Sequence, residues 1–309
     1  MTSYILRRLG YMLITLWVII TLTFVLMHAI PGDPFLNEKR VPEAIRQNLL
    51  AKYGLDKPLY EQYFIYMKNL LRGDFGISMK YTARSVNDMI RDGFPYSADL
   101  GIRALIFAVT TGLFLGTLAA LNQNLRTDRI AMLIAVFGVS VPGFVVGSLL
   151  QYLLGVKFRV LPVQGWGSFA QSILPSFSLG LGTLALMARM MRASVLDVIN
   201  QDYIKTAKAK GLSKPEIVWR HIIRNAILPI VTILGPLVAN IITGTLVVEA
   251  IFNIPGLGKY YVQSIYNSDY TLIMGTTIFY AIILLVSTFL VDLAYGFIDP
   301  RIRLAKGKE

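Results

Sequence analysis

The sequence predicts an all-α, polytopic membrane protein with six transmembrane helices. Three observations carry that expectation. Of 309 residues, 55% are hydrophobic and only 16% charged, where a soluble domain carries about 25% charged residues; the mean hydropathy is +0.57. Six apolar stretches approach or exceed the roughly 20 residues that cross hydrocarbon about 30 Å thick. Lysines and arginines also gather beside alternate ends of those stretches, the asymmetry that orients membrane helices. Cysteine is absent, and His28 and His221 are the only histidines, so no disulfide framework, thiolate centre or protein zinc site is expected. The formal charge of +12 lies largely beside the spans. It reads as topology rather than as a nucleic-acid surface.

The first span runs from about Leu9 to Ile30 behind Arg7-Arg8. A secretory signal peptide shares the basic start and apolar run. This apolar core is too long, however, and no small-residue cleavage site precedes Pro31-Gly32-Asp33-Pro34. Residues 1–30 are therefore read as a cytoplasmic start and a retained span. Residues 31–97 form the largest polar segment, mixing acids and bases from Asp33 through Glu38, Lys39, Arg40, Glu43, Arg46, Lys52, Asp56 and Lys57 to Glu61. Tyr53, Tyr60, Tyr63, Phe64 and Tyr66 give it the means of burying a small core, so a helical extracytoplasmic subdomain is expected rather than disorder. Asp74-Phe75-Gly76 has no kinase-type glycine loop or His-Arg-Asp segment to accompany it.

Residues 98–297 hold the other five spans. The second covers about Ala98 to Leu121, with Arg103 placed to snorkel at its outer end. The turn Asn122 to Arg129 leads to the third, about Ile130 to Val156, where Pro142 in Ser140-Val141-Pro142-Gly143 should kink the helix. The loop Lys157 to Ser172 offers Trp166 as an interfacial anchor. The fourth span, about Ile173 to Met191, opens with Pro175, Ser176, Ser178, Gly180, Gly182 and Thr183; small residues serve close helix packing or border a permeation path. The fifth, about Ala226 to Ala250, contains Pro229, Gly235, Pro236 and Gly244. Glu249 near its outer end is either a functional acid or an interfacial one. Gly258-Lys259 lacks the remaining phosphate-loop pattern. The sixth span, about Leu272 to Phe297, holds Asp292 in its inner part, and residues 298–309 form a basic tail. Arg7, Arg8, Arg126, Arg129, Arg189, Arg192, the basic residues of 205–224 and those of the tail share one side, whereas the short opposite loops offer only Lys157, Arg159 and Lys259. Both termini are expected in the cytoplasm.

A polar, basic island from Asp202 to Pro229 separates the fourth and fifth spans. Residues 202–210 suit a helix, Gly211 a left-handed stop, and Ser213 with Glu216 a capping box opening a second helix with Pro215 in its first turn. Helix, glycine corner and helix fit a groove on another protein, or simply form a basic cytoplasmic loop.

The run Thr206-Ala207-Lys208-Ala209-Lys210-Gly211-Leu212, then Arg220-His221, Arg224-Asn225-Ala226 and Leu228-Pro229, resembles the cytoplasmic EAA loop of binding-protein-dependent ABC importers, in their oligopeptide and dipeptide permease branch. Lys205-Thr206-Ala207 stands where the wider superfamily has Glu-Ala-Ala. Tyr53-Gly54-Leu55-Asp56-Lys57-Pro58-Leu59-Tyr60, Leu71-Arg72-Gly73-Asp74-Phe75-Gly76-Ile77-Ser78, Phe252 to Lys259 and the tail after Asp299 resemble the same branch, so the likeness covers almost the whole chain.

The resemblance implies a type I ABC importer permease fold and a non-enzymatic subunit in a bacterial or archaeal cytoplasmic membrane, surrounded by lipid and binding no nucleic acid. The implied partners are a second homologous permease subunit, two cytoplasmic ABC ATPases and an extracytoplasmic peptide-binding protein. No cofactor is expected in this chain; ATP and Mg belong to the ATPases. The coupling loop would be 194–225. In it Lys205, Thr206, Ala207, Ala209, Gly211, Leu212, Ser213 and Glu216 would meet an ATPase, with Ala207 allowing its close approach. Ser140, Ser176, Ser178, Thr183 and Glu249 are the candidates for the translocation path. Oligopeptide is the expected cargo, with dipeptide, nickel chelate or glutathione as alternatives. An ion-coupled carrier needs ionisable groups near the midplane, whereas Arg103, Glu249 and Asp292 sit toward span ends. No catalytic constellation is present.

Overall fold

A computed structural model describes residues 2–29, 47, 50, 51, 53–81, 84–243 and 245–298. The turn at Pro31-Gly32-Asp33-Pro34, the charged residues up to Arg46, Lys52, Gly244 and the tail 299–309 lie outside the described residues. The helices are α1 (Thr2–Ala29), α2 (Leu59–Leu71), α3 (Val86–Leu121), α4 (Arg126–Ser140), α5 (Gly143–Lys157), α6 (Phe169–Ile199), α7 (Asp202–Ala209), α8 (Lys214–Ala226), α9 (Leu228–Ile242), α10 (Leu246–Ile251), α11 (Gly258–Tyr266) and α12 (Tyr270–Ile298). Four helices, α1, α3, α6 and α12, are long and apolar enough to cross a membrane unaided; α4 with α5 and α8 with α9 form two bent pairs.

Small residues set the centre. On α3, Gly101, Ala104, Ala108, Gly112, Gly116 and Ala120 make a buried stripe along one face, and α6 packs along it more extensively than any other pair of helices. A Cβ at Gly112 would stand 2.5 Å from the Cβ of Met187. One at Gly180 would meet the Ala104 carbonyl at 2.8 Å. Helices bound in lipid lack a hydrophobic drive to associate and rely on this kind of close backbone approach. The first half of the fourth predicted span thus serves packing at Ser178 and Gly180. Farther out, α9 and α1 each pack against α12, with Arg8 and Asp292 paired at 3.2 Å.

Three predicted elements are corrected. The third span is broken rather than kinked, and the chain turns through 102° between α4 and α5. Val141 before the proline is extended at φ −101°, ψ 123°, the conformation that a following proline imposes, and Pro142 then opens the next helix. The fifth span stops at Ile242: Thr245 is extended at φ −125°, ψ 107°, and Glu249 belongs to the separate α10. The second span begins at Val86, where Ser85 caps the helix by accepting from Asp88 N at 3.0 Å, so the outer segment runs directly into the bundle despite Pro95. Trp166 is half-buried against Leu100, Leu174, Val248, Phe252 and Ile254. Arg103 does not snorkel freely: it pairs with Asp99 at 2.8 Å and stands 5.8 Å from the centre of the Trp166 ring.

The outer segment is fastened by Asp269, buried just before α12. Its carboxylate accepts from the Ser78 hydroxyl, from Met79 N at 3.1 Å and from Leu272 N at 3.1 Å. One acid therefore caps α12 and holds the 78–80 turn. On α2 the Tyr66 hydroxyl is buried without a hydrogen-bond partner among the described residues, and burial pushes its phenol well above the ordinary value.

Candidate functional site

The polar island folds as the expected helix, glycine corner and helix. Gly211 takes φ 77°; its N–H donates to the Lys208 carbonyl at 3.0 Å while Leu212 N donates to the Ala207 carbonyl at 3.3 Å. These two bonds make a Schellman motif, which satisfies the last carbonyls of α7 and needs a residue at ease with positive φ. Leu212 turns back onto the core beside α7.

The capping box does not form. The Ser213 side chain makes no cap hydrogen bond, and the Glu216 carboxylate accepts from Arg220 at 2.6 Å. A guanidinium one turn ahead is a stronger donor to a carboxylate than a neutral backbone N–H. From there Ile217–Ile223 is wound as π-helix, and the axis bends by 52° into α9.

The two faces of α7 differ sharply. Ile204 (0% exposed) and Ala207 (5%) press against Met187, Met191 and Val195 of α6 and Ile217 and Ile222 of α8. Ala207 accordingly lets α7 lie close to its own bundle, and its side chain does not face outward as the sequence reading had it. The outward face carries Tyr203, Lys205, Thr206, Lys208, Ala209, Lys210 and Gly211, with Ser213, Lys214 and Trp219 following, all exposed. Lys205 pairs with Asp202 at 2.9 Å in full solvent, a contact of little energetic weight.

An ion pair that the sequence reading missed lies behind this corner. Arg192 on α6 donates Nε and Nη2 to the two carboxylate oxygens of Asp128 at 2.7 and 2.8 Å, and Asn124 N also donates to Asp128 at 2.9 Å. The Asp128 side chain is only 5% exposed. This bidentate clasp joins the start of α4 to the last turns of α6, just ahead of α7.

The five path candidates are not brought together. Ser140 is exposed at the end of α4 and Thr183 half-buried on α6. Ser176 is buried with its hydroxyl unpaired among the described residues. The Ser178 hydroxyl donates to the Gly143 carbonyl at 2.6 Å, fixing α5 on α6. Glu249 is 2% exposed, accepting from the Ser97 hydroxyl at 2.7 Å and from Gly258 N at 3.0 Å. Ser97 in turn accepts from Leu257 N at 2.8 Å, and the Gly256 backbone lies directly on the Glu249 carboxylate. Glu249 thus shapes the loop from Phe252 to Gly258 and holds it on α3. Among the described residues no group of acids and histidines could hold a metal ion.

Comparison with known proteins places this architecture. The family model described as binding-protein-dependent transport system inner membrane component matches residues 112–304, and the corresponding N-terminal model matches residues 1–101. The dipeptide transport system permease protein DppB of Bacillus subtilis is 49% identical over 99% of both chains. The oligopeptide transport system permease protein OppB of Haemophilus influenzae is 44% identical over 98% of this chain and all of its own. A crystal structure of an amino acid ABC transporter shares the fold at 17% identity, with a TM-score of 0.52 over 68% of this chain and 94% of that one. The chain therefore belongs to the family of binding-protein-dependent transport system inner membrane components.

Proposed function

We propose that this chain is the membrane-spanning permease subunit of an ATP-driven peptide importer, oligopeptides being the first choice of cargo and dipeptides the alternative. It would work beside a second, homologous permease subunit, two cytoplasmic ABC ATPases that carry ATP and Mg, and an extracytoplasmic peptide-binding protein. The carrying observation is the α7–α8 corner: a Schellman-locked turn, clamped to the core on its inner face, with a basic and aromatic face left open. That is the form of a short rigid lever, and near full-length relatives named as peptide permeases support its use in peptide transport.

Counting each bent pair as one span gives six, with both termini and the coupling loop 194–225 in the cytoplasm by the lysine and arginine bias. Residues 1–30, 31–97, 98–297 and 298–309 then divide into first span, outer subdomain, permease core and tail. Within this reading the exposed Lys205, Thr206, Ala209, Gly211, Ser213 and the adjoining Trp219 meet the ATPase, while Ala207, Leu212 and Glu216 hold the corner in shape. Ser140 and Thr183 border the path, and Ser176, Ser178 and Glu249 support its walls.

A mild-detergent pull-down of the tagged chain from its native membrane, read by mass spectrometry, tests the assembly. Recovery of a second permease and ATPase subunits is expected. A lone, monodisperse chain, under conditions that keep other transporter complexes intact, would favour an ion-coupled carrier. Uptake into vesicles that persists when ion gradients collapse but ATP is maintained would exclude the carrier.

A further inference from the structure

At the end of the bundle opposite the α7–α8 corner, a cavity of about 360 Å3 opens between the last turn of α9, α11 and the first half of α12. Gly235 and Thr288 bring α9 and α12 into backbone contact, an added Cβ at Gly235 lying 2.8 Å from Thr288 Cα. A little over one turn further along α9, Asn240 already lines the cavity.

The lining has a definite chemistry. Among the described residues it contains no charged side chain. Thr243 and Thr276 spend their hydroxyls on their own helix, on the Ala239 and Leu272 carbonyls at 2.8 and 2.6 Å. The Asn240 amide and the Tyr261 and Tyr280 hydroxyls, by contrast, make no hydrogen bond among the described residues. Phe279 adds a third aromatic ring. Beside the cavity-lining Leu246, Thr245 keeps a buried hydroxyl that is also without a hydrogen bond among the described residues. Asn240 and Tyr261 are exposed and Tyr280 half-buried, so these groups are open to a molecule entering the cavity. All three border one space, and that space falls within the ~300–1,000 Å3 range of small-ligand sites.

We propose that this cavity is a transit subsite that holds the main chain of a peptide, with Asn240, Tyr261 and Tyr280 as its hydrogen-bonding groups. The inference rests on the peptide-import reading above and deepens it. A carboxamide carries a donor and an acceptor side by side, the same pair a peptide unit presents, so Asn240 binds backbone without reading the side chain. The tyrosine hydroxyls add a donor or acceptor at either edge. Their rings, with that of Phe279, accept aliphatic side chains or a terminal ammonium on the aromatic face. A site with no fixed charge neither repels nor traps acidic or basic residues, as cargo of varied sequence demands. Its size means that a long peptide passes through a few residues at a time.

The test uses the whole transporter with its binding protein in sealed vesicles, with radiolabelled di-, tri- and penta-alanine together as the probe. Asn240→Leu and Tyr280→Phe remove hydrogen-bonding groups while nearly conserving volume. Each is expected to lower uptake efficiency about fivefold, the worth of one neutral hydrogen bond, in complexes that still co-purify with their ATPase subunits. Uptake by both variants at the wild-type level overturns the inference. If a variant does not assemble, Tyr280→Cys is labelled with a hydrophilic maleimide in the presence and absence of the peptides: protection by peptide supports the subsite, and unchanged labelling overturns it. A wild-type transporter that takes up none of the three probes with ATP, while turning over ATP in response to its binding protein, overturns the peptide-import reading itself.

Discussion

Gly211 is held at φ 77°, and a Cβ built there meets nothing within 4 Å. A side chain at this position is therefore opposed by backbone conformation alone, which makes the cost calculable. The left-handed region costs an ordinary L-residue roughly 1–2 kcal/mol, asparagine less and a β-branched residue most. Gly211→Ala should thus weaken the corner by about 1 kcal/mol and Gly211→Val by about 2 kcal/mol or more, while Gly211→Asn stays within about 0.5 kcal/mol of the native protein. These are upper bounds on what reaches a partner, because the open face of the corner is lost only as far as the turn relaxes. The assay is titration of the detergent-solubilised permease with its ATPase subunits, read as a dissociation constant. Valine should raise it by up to about thirtyfold, alanine by up to about fivefold, and asparagine hardly at all. Wild-type affinity for Gly211→Val would show that the corner takes no part in docking. Equal damage from asparagine and valine would show that Gly211 is needed to let the ATPase come close, and the conformational reasoning would fail.

Other substitutions separate packing from function. Gly116→Leu drives a side chain into the Ala188 carbonyl and Met191 and should abolish accumulation of folded chain, whereas Gly182→Ala, whose Cβ finds only the Gly138 carbonyl at 3.9 Å, should be neutral or stabilising by about 0.5–1 kcal/mol; membrane expression and thermal unfolding in detergent compare the two. Arg192→Ala leaves the Asp128 carboxylate buried without its bidentate partner and should cost about 1.5–3 kcal/mol, with Arg192→Lys recovering only part because a lysine cannot form the fork; the same unfolding measurement reads both. Glu249→Ala strands the Ser97 hydroxyl and the Gly258 N–H and should expose the 252–258 loop to modification of a cysteine placed at Ile254, which is buried in the native loop, while Glu249→Gln, which keeps an acceptor, should protect it more.

The apolar spans were legible because hydropathy and length are properties of each stretch by itself. The breaks were not. A single proline removes one helix hydrogen bond, and the sequence cannot say whether neighbours close the gap as a kink or hold it open at 102°. The answer is tertiary: Gly143 and Gly147 lie so close to Ser178 that added Cβ atoms would collide with it, so α5 is held in its turned position from outside. Glu249 was misplaced for the same kind of reason. The apolar residues of α10 continue the hydropathy of α9, and the break falls within residues 243–245, where Thr245 is extended. The start of α3 was hidden because residues 86–97 are mixed in polarity while its small-residue face, Gly93 included, is already buried.

At the corner the division falls between local and distant interactions. A Schellman turn needs only a glycine at the right place after a helix, so Gly211 announced it. The capping box was a competition between Ser213 and Arg220 for one carboxylate, and the charged donor won. The direction in which α7 faces had a faint signal, Ile204 and Ala207 at i and i+3 with Leu212 beyond, which outweighs the alanine's suitability for close approach by a partner. The Asp128–Arg192 clasp joins residues 64 positions apart and had no signal.

These distant contacts bear on how the proposed lever would act. A force applied to the open face of α7 passes through Ile204 and Ala207 into the last turns of α6. Those turns are tied to α4 by Arg192 and pressed on α3 at Gly112 and Gly116, so α6 cannot move without engaging both neighbours. On the proposed reading the exposed basic residues would set which partner docks, and the buried pair would decide what the docking moves. Replacing Ile204 by alanine therefore makes the decisive comparison. The open face is untouched, so ATPase binding should survive, but the cavity left under α7 should slacken the lever and lower transport per ATP hydrolysed. A variant that keeps native coupling between hydrolysis and uptake would place the transmission elsewhere than α6.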